Sequence, residues 1–292
     1  MHDFRPHSFG PPAATVSDRL GFALEVASRA EAFILTHFST SGIRFQTKPD
    51  GSPVTVADTG AEELVRALIA RNWPDDGIVG EECGHAEGRS DFRWVIDPID
   101  GTRSFVHGVP LFGTLLGLQG RSDPAKPHPR AVDGWYNAAG VAAFPALGER
   151  VYASLGGGAW HERAGERMHA RVSKVKTLTD STVSTTSMQA MLGLGEVASG
   201  PGTREAYLKL NAQAKLSRGW SDCYGTLLVA TGRIEAMIDP PMRLWDVSAL
   251  EPIVLEAGGD LTGWDGRPTD GSTGAIATNG HVHAALVELF AD

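Results

Sequence analysis

The stretch WVIDPIDGTRSF, residues 94–105, decides how the rest of this sequence is interpreted. Its first three residues are apolar, so they predict a buried strand. That strand leads directly into two aspartates, Asp97 and Asp100, which are followed by Pro98 and Gly101. Two carboxylates this close to a protein core repel each other unless a positive charge lies between them. The stretch therefore predicts a cation site at the end of a strand.

The composition is that of an acidic globular protein. The chain has 292 residues, 42% of them apolar, which suits one large domain or two packed halves. Its formal net charge of -9 disfavours a nucleic-acid partner and suits a protein that binds cations. The two cysteines, Cys83 and Cys223, form neither a disulfide framework nor a CxxC pair. We therefore expect both to be reduced in a cytoplasmic protein.

No segment of the sequence predicts contact with a membrane. A membrane span needs ~20 apolar residues, and no stretch approaches that length. Residues 1–12 lack the apolar core of a signal peptide and are rich in Pro, Gly and His. We predict that they form a flexible tail.

The apolar pattern divides the rest of the chain into two halves. Residues 13–165 are predicted to be an α+β half that carries the metal motifs, and residues 166–292 an α/β half that carries the substrate-side acids. Periodicity predicts a first helix from Ser17 to Phe38. It also predicts a strand from Ala131 to Asn137 and one long helix from Trp245 to Gly259.

Six acidic residues share a position at which an apolar run ends. They are Asp58, Glu81, Asp97, Asp100, Asp239 and Asp246. One such acid would be ordinary, because acids often cap helices, and Asp58 is expected to be the N-cap of a helix over residues 59–72. Six of them, two within one turn, instead indicate a common site.

The turn that begins at Asp97 combines a metal-binding pattern with a phosphate-binding pattern. Mg²⁺ prefers oxygen ligands and usually keeps waters and substrate phosphate in its shell. Asp97 can bridge two ions, and Asp100 and the carbonyl of Ile99 can reach them. Gly101 lets the backbone approach an anion, and the N–H groups of Gly101 and Thr102 can hold phosphate. Metals and phosphate in one turn indicate phosphoryl transfer to water.

These motifs resemble those of the inositol monophosphatase family of Mg²⁺-dependent, lithium-sensitive phosphatases. The stretch at residues 94–105 is similar to the metal-binding signature of that family, and WDVSALEPIVLEAGG, residues 245–259, to its second signature. VTVAD, residues 54–58, and GEE, residues 80–82, are similar to two further elements in the same order. The resemblance extends from about residue 17 to the end. It implies a layered α/β/α/β/α sandwich of the inositol monophosphatase and fructose-1,6-bisphosphatase type, usually dimeric.

The resemblance also implies a set of metal ligands. Glu81, Asp97 and the carbonyl of Ile99 would hold a first Mg²⁺. Asp97, Asp100 and Asp246 would hold a second, and a third, weaker ion would bring the number to three. Asp100 would also lie against the phosphate.

Further residues take roles in catalysis by the same resemblance. Gly101 and Thr102 would bind the phosphate, and Asp58 with the Thr102 hydroxyl would orient the attacking water. Asp58 would also support the third ion. Glu82, next to a metal ligand, is a further candidate, and Lys48, in the KPDGSP loop, would close over the site.

Two further acids bear on the identity of the phosphate ester. Asp239 lies seven residues before Asp246, where the family has a substrate-contacting acid, and Asp222 lies where inositol phosphatases tend to have a small residue. A leaving group with an ammonium and an imidazole favours two carboxylates. Arg103 and Ser104 stand where inositol phosphatases more often have Thr-Asn, and the flanking strings resemble the histidinol-phosphatase branch.

The resemblance therefore implies a histidinol-phosphatase of histidine biosynthesis, a hydrolase that cleaves a small phosphate monoester. Alternatives remain open at this point. They are an inositol-1-phosphate or related sugar-phosphate phosphatase, a 3',5'-bisphosphate nucleotidase, and a regulatory module that keeps the fold without catalysis.

Overall fold

The computed structural model describes residues 13–38, 43–48, 53–194, 202–220 and 222–290. The tail predicted for the first residues lies outside these ranges. The helices are α1 (Ala13–Leu35), α2 (Val56–Asn72), α3 (Thr102–Val106), α4 (Met188–Met191), α5 (Thr203–Gln213), α6 (Asp222–Ala230), α7 (Leu244–Ser248), α8 (Leu250–Glu256) and α9 (His283–Phe290). The strands are β1 (Gln46–Thr47), β2 (Pro53–Val54), β3 (Gly77–Gly80), β4 (Gly84–Ala86), β5 (Phe92–Asp100), β6 (Gly113–Arg121), β7 (Trp135–Phe144), β8 (Glu149–Ser154), β9 (Gly158–Arg163), β10 (Glu166–His169), β11 (Thr182–Ser184), β12 (Leu216–Arg218), β13 (Ala236–Asp239), β14 (Asp260–Thr262) and β15 (Ala275–Thr278).

Two large sheets organise the described part of the chain. The first has the order β10-β9-β8-β7-β6-β5-β3-β4 and is antiparallel except for the pair β3 and β5. The second has the order β12-β11-β13-β15-β14, with parallel pairing around β11 and antiparallel pairing around β15. The first sheet continues through β10, just past residue 165, and the division of the chain at that residue stays a prediction.

Helices cover both faces of both sheets. On β6, Leu115 and Leu116 are both buried, but they point to opposite faces because side chains alternate along a strand. Leu116 packs in the core formed with α1 and α2, whereas Leu115 packs in the core formed with α6 and α8. A third core joins the second sheet to α5 and α9. The predicted α/β/α/β/α sandwich is confirmed.

Glycines in the first sheet bring the middle helices unusually close. A Cβ at Gly140 would lie 2.0 Å from the carbonyl oxygen of Ala249, and a Cβ at Gly117 would lie 2.5 Å from Oγ of Ser248. Glycine has no Cβ, so each of these two positions avoids its clash. The junction of α7 and α8 therefore rests directly on β6 and β7, which places Asp246 of α7 beside the end of β5.

Three predicted boundaries are wrong. Helix α1 covers Ala13–Leu35 and ends before Phe38. Strand β7 begins only at Trp135, because Asp133 and Gly134 have positive φ angles and form a turn. The long helix predicted near the C-terminus is divided into α7 and α8. Pro252 explains this division, because it has no N–H to donate to the carbonyl four residues earlier.

The helices of the described ranges include none that is long and apolar enough to cross a membrane.

Candidate active site

The end of β5 carries two of the predicted metal ligands in an irregular stretch of the sheet. Asp97 is opposite Leu115 and Asp100 is opposite Gly113, so the register shifts between the two aspartates. Such an irregularity is typical of strands that redirect side chains next to a site. Gly101 then adopts φ +82, a left-handed conformation that glycine accepts without strain. Helix α3 begins immediately afterwards.

Three carboxylates meet where β5 approaches α7. One oxygen from each of Asp97, Asp100 and Asp246 lies within 4.8 Å of the others. Burial and the charges of neighbouring acids raise the pKa of Asp97 and of Asp100 well above the ordinary value. Burial also raises the pKa of Asp246 to about 7. The shared cause is restricted access to water together with the negative charge of the neighbouring acids.

This cluster fits a hard divalent cation. Its donor atoms are all carboxylate oxygens, which Mg²⁺ prefers. Oδ1 of Asp97 is buried and has no hydrogen-bond partner among the described residues. Asp246 is held in place at the start of α7, where its Oδ2 accepts a bond of 2.7 Å from the backbone N–H of Arg243. A bound cation would satisfy the unpartnered oxygen and offset the repulsion.

A turn after β3 brings two glutamates to the same region. The backbone N–H of Glu81 donates to the carbonyl of Ile96 at 3.2 Å, which attaches this turn to β5. Lys48 donates from Nζ to Glu81 at 2.7 Å and to Glu82 at 2.6 Å. Burial lowers the pKa of Lys48, but these hydrogen bonds outweigh that effect and raise it. Burial raises the pKa of Glu82 to about 7 despite Lys48.

Asp58 lies within α2 rather than in front of it, so the prediction that it is the N-cap is wrong. Thr55 is the N-cap, and its hydroxyl accepts from the N–H of Ala57 at 3.0 Å. Oδ2 of Asp58 accepts from the backbone N–H of Thr55 at 2.8 Å and from its hydroxyl at 2.6 Å. This capping box fixes the carboxylate and leaves Oδ1 directed towards α3. Oδ1 lies 3.4 Å from the hydroxyl of Thr102.

The two predicted substrate-side acids lie on adjacent elements. Asp222 begins α6 with φ +56, a left-handed conformation that is uncommon for residues other than glycine. A Cβ at Gly101 would lie 3.0 Å from Oδ2 of Asp222, so this carboxylate borders the turn from Asp100 to Thr102. Asp239 ends β13, and burial raises its pKa to about 7, with Asp222 and Asp246 adding to the effect.

Two residues that join these elements were not predicted from the sequence. Thr186 donates its backbone N–H to Oδ1 of Asp239 at 3.0 Å, and its hydroxyl accepts from the N–H of Asp222 at 2.9 Å. The N–H of Cys223 donates to Oδ2 of Asp100 at 2.6 Å. The run of hydroxyl residues after β11 is the only sequence signal for Thr186.

Comparison with known proteins agrees with this arrangement. A model of the inositol monophosphatase family matches residues 16–292. The chain is 38% identical to the histidinol-phosphatase of Chlorobaculum parvum over 92% of this chain and 95% of that protein. It is 36% identical to the histidinol-phosphatase of Streptomyces coelicolor over 92% of this chain and 96% of that protein.

A solved structure with the same fold is the IMPase of Thermotoga maritima, which superposes with a TM-score of 0.77. It is 27% identical and is matched over 94% of this chain and 97% of that one. The predicted family resemblance is confirmed by these matches. The chain belongs to the inositol monophosphatase family.

Proposed function

We propose that this protein is a Mg²⁺-dependent phosphomonoesterase that hydrolyses L-histidinol phosphate to L-histidinol and phosphate in histidine biosynthesis. One observation carries the proposal: the carboxylate cluster of Asp97, Asp100 and Asp246 lies against two further acids, Asp222 and Asp239. The cluster suits a metal-assisted reaction on phosphate, and the additional acids suit a cationic leaving group. Relatives that are 35–38% identical and are named histidinol-phosphatase support the same substrate.

The proposed metal ligands are Glu81, Asp97, the carbonyl of Ile99, Asp100 and Asp246, for two to three ions. Members of this family are generally Mg²⁺-dependent, and the unpartnered Oδ1 of Asp97 supports a ligand role for this residue. When bound, Mg²⁺ supplies Lewis acidity that withdraws electrons from the phosphoryl group and the attacking water.

Asp58 and Thr102 orient the attacking water in this proposal. Oδ2 of Asp58 accepts two hydrogen bonds from Thr55, whereas Oδ1 has only the long contact of 3.4 Å from the Thr102 hydroxyl, so Oδ1 is the oxygen proposed to receive a proton from the water. The Thr102 hydroxyl donates to the carbonyl of Ile99 at 3.0 Å, which leaves its lone pairs for the water. Proton transfer to a positioned carboxylate typically accelerates a reaction by a factor of about 10²–10⁴.

The phosphate is proposed to bind at the turn from Asp100 to Thr102. The left-handed Gly101 leads into the first turn of α3, whose leading N–H groups have no acceptor within the helix. These N–H groups, aligned with the phosphoryl oxygens, stabilise negative charge that develops during transfer.

The leaving group is proposed to bind between Asp222 and Asp239. Histidinol carries an ammonium, and its imidazole is cationic when protonated, so two carboxylates give it charge-assisted hydrogen bonds. Thr186 supports this arrangement, because its N–H donates to the Asp239 carboxylate and its hydroxyl accepts from the backbone N–H of Asp222. Lys48 and Glu82 are proposed to line the opposite edge.

A second candidate function is hydrolysis of inositol-1-phosphate or a related sugar phosphate. It is supported by an inositol-1-monophosphatase of Mesorhizobium japonicum, which is 27% identical over 90% of this chain. The regulatory module is a weaker alternative, since the predicted carboxylates are all present and the cluster is assembled. The 3',5'-bisphosphate nucleotidase is weaker because the sequence does not clearly mark a basic pocket for an adenine or a second phosphate.

A phosphate-release panel with Mg²⁺ tests the proposal. The substrates are histidinol phosphate, inositol-1-phosphate, fructose-1,6-bisphosphate and adenosine 3',5'-bisphosphate. We expect kcat/KM for histidinol phosphate to exceed the others by at least about tenfold, which corresponds to about 1.4 kcal/mol of transition-state discrimination. Equal or higher kcat/KM for another ester would reassign the substrate, and release that persists in EDTA would contradict the metal chemistry.

We also propose that the enzyme is a cytoplasmic homodimer. The support is the family resemblance and the two free cysteines, Cys83 and Cys223. Light scattering at several protein concentrations measures the oligomeric state, and cell fractionation measures the location.

A further inference from the structure

Glu62 is a buried carboxylate that holds the glutamate turn. It lies on α2, one turn after Asp58, and its side chain is 0% exposed. Its Oε2 accepts the backbone N–H of Glu82 at 2.7 Å, and its Oε1 accepts the N–H of Cys83 at 3.1 Å. A single side chain from α2 therefore binds two consecutive N–H groups of the turn after β3.

Arg66 extends this contact to a third backbone group of the same turn. It lies one helical turn after Glu62 and donates from Nε to Oε1 of Glu62 at 2.7 Å. Its Nη2 donates to the carbonyl of Gly84. The guanidinium offsets the charge of Glu62, so this ion pair holds the turn without adding uncompensated charge to the acidic site.

Gly80 makes the approach of Glu62 possible. A Cβ at this position would lie 2.0 Å from Oε1 of Glu62 and 2.5 Å from its carboxyl carbon. Real Cβ atoms do not come so close to another heavy atom. The position of the Glu62 carboxylate therefore requires a glycine at residue 80, the first residue of the GEE motif, eighteen residues later in the sequence.

Helix α2 thereby fixes one distance within the candidate site. Asp58 and Glu62 are four residues apart on one helix, which corresponds to a rise of about 6 Å. The turn held by Glu62 is also attached to β5 through the bond from Glu81 to Ile96. The backbone contacts of the turn therefore set the position of Glu81 relative to Asp58 and Asp97, without help from the Glu81 side chain.

We propose that Glu62 is a positioning residue that sets the metal affinity of the site through the backbone on either side of Glu82. Glu62 is not itself a ligand, because three donors occupy its two oxygens. The inference rests on the proposed function in one respect, the ligand role of Glu81. It does not depend on which phosphate ester is hydrolysed.

Glu62→Gln tests this role with metal binding as the readout. The amide has one acceptor oxygen where the carboxylate has two, so one N–H of the turn loses its partner and Arg66 loses its counter-charge. We expect the Kd for Mg²⁺, measured by isothermal titration calorimetry, to rise about tenfold. We also expect kcat to approach the wild-type value at saturating Mg²⁺, because the substitution acts through affinity.

Two control variants separate positioning from general destabilisation. Glu63→Gln removes the same charge from the exposed neighbouring position on α2. Glu149→Gln removes a buried carboxylate of β8, 2% exposed, that pairs with His161 and Arg233. We expect Glu149→Gln to lower the unfolding midpoint and both variants to keep the wild-type Kd for Mg²⁺.

Arg66→Gln provides a second test that does not require a change in the fully buried residue. Arg66 is partly exposed, and its loss releases Gly84 while leaving Glu62 in place. We expect the Kd for Mg²⁺ to rise about threefold, the effect of one ordinary hydrogen bond. The inference is overturned if folded Glu62→Gln and Arg66→Gln both bind Mg²⁺ within twofold of wild type. If wild-type protein binds Mg²⁺ but does not hydrolyse histidinol phosphate, only the proposed substrate is contradicted.

Discussion

The hydroxyl of Thr102 lies 3.4 Å from Oδ1 of Asp58, which links the start of α3 to the first turn of α2 at the end of β5. Thr102→Val keeps the side-chain shape and removes the hydroxyl that is proposed to orient water. We expect kcat for histidinol phosphate to fall at least about 100-fold with little change in KM. Thr102→Ser keeps the hydroxyl and should retain most of the activity. Equal losses in the two variants would contradict a role for the hydroxyl.

Asp97→Asn separates metal binding from stability. Asp97 is 1% exposed, and the negative charges of Glu81, Asp100 and Asp246 repel its carboxylate. The neutral amide removes this repulsion, so the metal-free variant should unfold at a higher temperature than metal-free wild type. The increase in unfolding temperature that Mg²⁺ gives to wild type should be lost, because a ligand stabilises only the state it binds.

Activity gives a second measurement on Asp97→Asn. We expect phosphate release to fall by about 10³, since metal catalysis supplies several kcal/mol. Circular dichroism checks that the fold is intact. Wild-type activity in EDTA, or an unchanged Mg²⁺ response of the variant, would rule out the proposed ligand role.

The motif from Asp97 to Thr102 could be predicted from the sequence because its function is local. Strand end, turn glycine and helix start follow one another within a few residues, and the structure has them in that order. The N-cap predicted for α2 is wrong because Thr55 and Asp58 both have cap-forming side chains. Only the structure shows that they form one capping box, with the aspartate inside the helix.

Glu62 and Thr186 could not be predicted because their partners are distant in sequence. Glu62 binds the N–H of Glu82, 20 residues away, and Thr186 binds Asp239, 53 residues away. Such pairs depend on which strands are neighbours in the sheets, and local patterns carry no information about that order. Backbone N–H donors are also invisible in a sequence, since every residue except proline has one.

Asp222→Asn tests the proposed substrate. Asn tolerates the left-handed backbone of this position, so the substitution removes the charge and keeps the conformation. We expect KM for histidinol phosphate to rise by about 10-fold to 100-fold, the loss of one hydrogen bond to a charged group. KM for inositol-1-phosphate should change little, because an uncharged polyol has no ion pair to lose. Equal effects on both substrates would remove the specificity argument.

The pKa of Asp239 predicts how stability depends on pH. Burial raises it to about 7 in the folded protein, compared with about 3.9 in an unfolded chain. The folded state therefore binds this proton more tightly, and its contribution to stability is lost as pH rises from about 4 to about 7. In EDTA, the free energy of unfolding should fall less between about pH 5 and pH 8 in Asp239→Asn than in wild type.

Comparison of the two proteins removes the contribution of titrating groups that do not interact with Asp239. Burial lowers the pKa of His128 and of His283, so these residues favour stability at higher pH in both proteins and their effect cancels. The variant amide can still accept the N–H of Thr186. Identical pH dependence of unfolding in wild type and Asp239→Asn would show that Asp239 does not titrate in this range.

The contact between Gly140 and Ala249 predicts that stability and metal binding change together. In Gly140→Ala, the added Cβ would meet the carbonyl oxygen of Ala249 at 2.0 Å, so the junction of α7 and α8 must move away from the sheet. We expect a loss of about 1–3 kcal/mol in the free energy of unfolding, the usual effect of overpacking. We also expect weaker Mg²⁺ binding, because α7 carries Asp246.

Gly21→Ala in α1 is the matched control, since nothing lies within 4 Å of its added Cβ. That variant should gain up to about 1 kcal/mol from helix propensity and bind Mg²⁺ like wild type. Urea unfolding and calorimetry measure both quantities, and a Gly140→Ala protein as stable as wild type would show that the helix pair is not held against this sheet.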